Sequence, residues 1–195
     1  MNINQESEVA WANWYEFLQK HVVTLMSIGD YHGALSQLDD YLAIERLPEV
    51  RSDAVAFRAN VRKEMGDSEA AKMDYLEARS LVPPSYTRYV DELCLGQICR
   101  DQGNIDEAAN WYRKALDTCL RAKDVSGGTA LQKFLEIYRV GSLTAGDREL
   151  CLKVVDLSWQ VLGLPARPDH ENLNRAVSVI KSGEANPPRR PVEGA

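Results

Sequence analysis

Sustained runs of lysine and arginine are missing from this chain of 195 residues. Its 23 basic residues are outnumbered by 29 acidic ones, for a net charge of −6, so the positive footprint that neutralises phosphates is absent and nucleic acid is excluded as a partner. Long hydrophobic runs are missing as well. The apolar stretches are short and broken by charge, which argues against a membrane partner, and Met1 to Glu8 lack the basic flank and apolar core of a signal peptide, so a cytoplasmic chain is expected.

The residues that carry chemistry are equally sparse. The three histidines, His21, His32 and His170, lie in separate segments with no thiol or carboxylate at a spacing that suggests a triad or a metal site. Cys94, Cys99, Cys119 and Cys151 form no Cys-x-x-Cys pair and read as buried thiols packing as small hydrophobes. Gly127-Gly128 lacks the Gly-Lys-Ser/Thr ending of a phosphate loop and reads as a loop between helices. Acidic pairs such as Asp39-Asp40 and Asp106-Glu107 read as solvated faces or helix-dipole partners. No catalytic residue, cofactor site or metal site is expected, and the chain is read as a non-enzyme.

What the sequence does contain is a repeat. Gly29, Gly66 and Gly103 recur at an interval of 37 residues, each followed five places on by an alanine, Ala34, Ala71 and Ala108. A period of this length signals a stack of supersecondary units. Apolar residues at steps of three and four predict helices on both sides of each glycine. The first pair covers Val9 to Ile28, with Trp11, Trp14, Tyr15, Leu18, Val22 and Leu25, and Tyr31 to Ile44, with Ala34, Leu35, Leu38, Tyr41 and Leu42; Leu47-Pro48 closes it.

The second unit, about Ser52 to Pro84, carries Ala54, Val55, Ala59, Val61 and Met65, then Ala71, Met73, Tyr75, Ala78 and Leu81. The third, Tyr86 to Lys123, carries Leu93, Gly96, Ile98 and Cys99, then Ala108, Trp111, Tyr112, Ala115, Leu116 and Cys119. Ala130 to Val140 and Arg148 to Leu162 make a further pair separated by Ala145-Gly146-Asp147, but Gly146 breaks the interval and Cys151 fills the alanine slot. That pair reads as a degenerate fourth unit. Asp169 to Lys181 is expected to be a capping helix, residues 1–8 a flexible N-terminus, 9–183 one helical domain and 184–195 a disordered, proline-rich tail.

Ala59, Gly66, Ala71, Ala78 and Pro83 in the second unit, and Gly96, Gly103, Ala108 and Ala115 in the third, match the signature small residues, turn residues and closing proline of the tetratricopeptide repeat, and on them the chain resembles that family. Val22 and Tyr41 depart from the pattern in the first unit, where small residues are usual. The resemblance, spanning about Tyr15 to Leu162, implies an all-α fold: an α-solenoid of three such hairpins, a degenerate fourth and a C-terminal capping helix. Small side chains are needed where the two helices of a hairpin come closest, and alanine permits this at no cost in helix propensity.

The resemblance also implies a concave groove lined by first helices and occupied by a protein or peptide partner. By matched position it would be lined by Gln19, Lys20, Val23 and Met26, then Phe57, Asn60 and Lys63, then Cys94, Gln97 and Arg100. Of these, Gln19, Phe57, Asn60, Lys63, Gln97 and Arg100 are the candidate partner-binding residues. Asn60 and Gln97 are equivalent amides able to bond a peptide backbone, and Lys63 and Arg100 are equivalent cations that favour acidic groups unless neighbouring acids neutralise them. One subclass of the family clamps the C-terminal carboxylate of heat-shock chaperones; the corresponding slots hold Gln19, Val23, Phe57, Val90 and Cys94 here, so that clamp is absent.

The expected function is therefore a non-enzymatic interaction scaffold that binds a polypeptide partner in its groove. The alternative is a dedicated inhibitor, immunity protein or secretion chaperone that masks one client protein, the acidic charge being suited to a basic one. Self-association through the aromatic region of Trp11, Trp14, Tyr15 and Phe17 is a third reading, set against burial of that cluster.

Overall fold

The computed structural model describes residues 3–44, 46–83, 88–123, 127–137 and 144–162. All of its regular structure is helical, and no strand occurs among the described residues. The chain divides into two compact units, Met1–Tyr86 and Thr87–Ala195. The proposed capping helix, the tail and the first residues of the N-terminus lie outside the described residues.

Gly29, Gly66 and Gly103 explain the period. Each has a left-handed backbone, with φ of 81°, 83° and 81°, a conformation that costs glycine nothing and strains other residues. At the second turn Gly66 N–H donates to the Lys63 carbonyl at 3.0 Å and Asp67 N–H to the Arg62 carbonyl at 2.9 Å. These paired bonds close the helix end. The Asp67 carboxylate then accepts from Ala70 N–H at 3.1 Å and starts the next helix, as Asp30 does for Gly33 N–H at 2.9 Å.

In the first unit, α1 spans Ile3–Phe17 and passes through a π-helical stretch, Leu18–Val23, into α2, Thr24–Ser27; α3 spans Tyr31–Leu42, α4 Pro48–Glu64 and α5 Ser68–Ser80. The π-helical stretch includes Val22, one of the two bulky residues in slots where small ones are usual. Pro48 opens α4 at its first turn rather than only closing the preceding hairpin, because proline's missing N–H has no intrahelical acceptor there. Ala59, Ala71 and Ala78 are wholly buried, and the Ser52 hydroxyl donates to the Ala78 carbonyl at 2.6 Å across the α4–α5 hairpin.

In the second unit, α6 spans Tyr89–Asp101, α7 Ile105–Ala122, α8 Gly127–Ile137 and α9 Ala145–Leu162. Its core gathers Cys99, Ala108, Tyr112, Leu116, Leu131, Phe134, Cys151 and Val154. Gly96 lies against the Tyr112 ring: a Cβ there would stand 2.6 Å from Cδ1 and closer still to Cε1. Two expectations change in this unit. Gly127 and Gly128 form the first turn of α8 rather than a loop, and Gly146 sits inside the first turn of α9, so it is not the left-handed turn glycine of a fourth repeat.

Candidate functional site

Asn60 lies near the C-terminal end of α4, three residues after Phe57 and three before Lys63, so all three share one side of the helix. Each is half-buried. The Tyr75 hydroxyl of α5 donates to Asn60 Oδ1 at 2.6 Å. This bond spends the amide oxygen and fixes which way the group faces, leaving Nδ2 as an oriented donor. Phe57 packs edge-on to Trp14, with ring centroids 6.4 Å apart.

Trp14 is not a surface residue. It is wholly buried, its indole N–H donates to Asp53 Oδ2 at 2.7 Å, and its ring packs on Phe17 and Tyr41. Trp11 is half-buried and Tyr15, stacked on it at 5.7 Å, is 55% exposed. The aromatic cluster thus splits into a core half and a surface half. Gln19 is exposed in the π-helical stretch, where its carbonyl accepts from the Thr24 hydroxyl at 3.0 Å.

In the second unit Gln97 and Arg100 project from α6 one turn apart. Gln97 Nε2 donates to both oxygens of Asp101 at 2.8 Å. Arg100 holds Asp101 at 3.4 Å and Glu136 of α8 at 3.3 Å. The cation is therefore already neutralised within the unit. Burial works against the Glu136 carboxylate, but hydrogen bonds from Gln132 and Lys133 and the charges of Lys133 and Arg100 hold its pKa below the ordinary value.

Beneath this cluster lies Tyr112, the repeat equivalent of Tyr75. It is wholly buried, and among the described residues its hydroxyl has no hydrogen-bond partner. Burial pushes its pKa up to about 12, with Arg100, Asp101, Glu136 and Cys94 acting on it electrostatically. At neutral pH it is a proton donor without an acceptor among the described residues.

The polar network on the other side of α4 left no sign in the residue pattern. Asp74, only 3% exposed, receives Arg58 at 2.8 Å and Arg62 at 2.7 Å, while Arg58 also reaches Asp39 at 3.0 Å. Burial opposes the Arg58 cation, but Asp74 and Asp39 outweigh it and raise its pKa. The residues equivalent to Asp74 by the 37-residue interval are Gln37 and Trp111, so the repeat could not point to it. Met73, expected in the buried stripe, is instead 66% exposed.

Cys99, Cys119 and Cys151 are buried, Cys94 is half-buried, and none of the four is in a disulfide; burial pushes the Cys151 thiol up to about 12, which keeps it protonated and unreactive. Among the described residues no group of three His, Cys, Asp or Glu could hold a metal ion, and no helix is long and apolar enough to cross a membrane.

Hairpins, left-handed glycine turns and alanine contacts define an all-α helical-repeat protein. Residues 95–119, from α6 into α7, match the family model of the tetratricopeptide repeat, a module that generally binds other proteins and is generally non-catalytic. Among solved structures the chain is similar to the crystal structure of BtubC (BKLC) from P. vanneervenii: 15% identity, 89% of this chain and 83% of that chain covered, TM-score 0.49. No curated protein matches the sequence.

Proposed function

We propose that the protein is a non-enzymatic scaffold that binds a polypeptide partner along the faces of its first helices. Gln19, Phe57, Asn60, Lys63, Gln97 and Arg100 are the contact residues of this reading. The observation that carries it is the amide of Asn60, held by Tyr75 so that its nitrogen is presented in one orientation. A fixed donor beside an apolar ring suits an extended peptide, whose carbonyls need donors whatever its sequence. The acidic preference expected from Lys63 and Arg100 is weakened, since Arg100 already pairs with Asp101 and Glu136. The net charge of −6 favours instead the variant in which the client is basic.

Affinity capture from the native source with wild type and with Asn60→Asp, which keeps an oxygen for Tyr75 but removes the oriented nitrogen, tests this, thermal melting serving as the folding control. The reading expects the partner to be lost from a variant that still melts cooperatively. Undiminished capture by such a variant would move the binding surface elsewhere, with Trp11 and Tyr15 the first place to look.

A further inference from the structure

The second and third hairpins carry the same pair of residues in different states. Tyr75 and Asn60 are hydrogen-bonded at 2.6 Å. Their equivalents one interval on, Tyr112 and Gln97, are not: Gln97 is turned to Asp101 and the Tyr112 hydroxyl is buried without a partner among the described residues. A buried hydroxyl left unpaired is destabilising, because its lost hydration is not made good. Gln97 could remove that cost by offering Oε1, which accepts no bond among the described residues, but doing so would take its nitrogen away from Asp101.

We propose that Gln97 is a two-position latch at a binding site for a lysine or arginine side chain of the partner. When the partner's cation pairs with Asp101, Gln97 is released, turns to the Tyr112 hydroxyl and presents Nε2 as Asn60 presents Nδ2. The inference rests on the reading that the α6 face meets the partner.

Two observations support a cation as the occupant. The Asp101 side chain is 61% exposed, so it can be reached without opening the core. Its hold on Arg100 is long, 3.4 to 3.5 Å, and Arg100 keeps Glu136 if Asp101 is taken. After the exchange Asp101 has a charged donor, Tyr112 has an acceptor and the released Gln97 Nε2 faces the partner, so the unspent hydroxyl of the unbound protein becomes part of the binding free energy.

The test titrates the whole chain, labelled with ¹⁵N, with an acetylated and amidated Gly-Lys-Gly-Lys-Gly peptide, and with the glutamate counterpart as control. Expected are movement of the Gln97 side-chain amide signals with the lysine peptide alone, and binding about threefold or more weaker in Tyr112→Phe, which has no hydroxyl to receive Gln97. Gln97→Asn gives a second reading, because asparagine is short for Asp101 four residues on but is the residue that already bonds Tyr75. It should bind the lysine peptide more tightly than wild type. Gln97 signals that stay still, or equal affinities in all three proteins, would overturn the latch. Capture of the native partner by wild type but not by Asn60→Asp would in that case leave the groove reading standing.

Discussion

Asp147 shows how much one side chain holds in place. Its carboxylate receives Arg113 of α7 at 2.6 Å, and the Thr144 N–H and hydroxyl at 3.2 and 2.9 Å, so it ties the start of α9 to α7. Burial pushes against its charge, but Arg113 and Thr144 prevail and lower its pKa below the ordinary value of 3.8. A carboxyl depressed in the folded state contributes stability that is fully present above its unfolded pKa and is lost as pH falls through the folded one. Asp147→Ala should therefore cost about 1–3 kcal/mol at pH 7. In urea unfolding the gap between wild type and variant should narrow as pH falls below about 4, toward the lowered folded pKa; a gap as wide at pH 2.5 as at pH 7 would assign the effect to packing instead.

At the scale of the element, two glycines of neighbouring hairpins do different work and should fail differently. Gly66 has a positive φ and open space around its missing Cβ, whereas Gly96 has an ordinary helical backbone and the Tyr112 ring in the way. Gly66→Ala should cost about 1 kcal/mol from backbone strain alone. Gly96→Ala should cost about 1–3 kcal/mol from overpacking, and pairing it with Tyr112→Leu should recover part of the loss. Denaturant melts of the three variants decide the matter, since Gly66→Ala has no side chain to be relieved by.

The same two glycines mark what was legible in the sequence. A left-handed turn needs glycine, so the turns printed themselves as a period, and the alanines that let α4 and α5 approach did likewise. Helix starts and polar partners were harder. Gly127-Gly128 has the composition of a loop, yet it forms the first turn of α8. The Trp14 partner Asp53 lies 39 residues away, and Asp74 has no counterpart in the other repeats, so neither bond follows from local pattern. Of the candidate contacts, the equivalence of Asn60 and Gln97 was visible from spacing; that one is fixed by tyrosine and the other by aspartate was not, because it depends on which acceptor each side chain can reach.

For the molecule as a whole, charge makes the sharpest demand on the partner. Twenty-nine acids against 23 bases leave the chain at −6, and the Arg100 cation is spent on its own acids. A basic client would be drawn in by this field and an acidic one repelled, and such steering acts mainly on the association rate and is screened within about 8 Å at physiological ionic strength. Raising salt from 50 to 500 mM should then slow association with the captured partner by roughly tenfold while changing dissociation far less. Surface plasmon resonance at several salt concentrations separates the two rates. An association rate indifferent to salt would point to an apolar contact, for which exposed Tyr15 beside Trp11 offers one surface, and would remove the argument for a basic client along with the occupant proposed for Asp101.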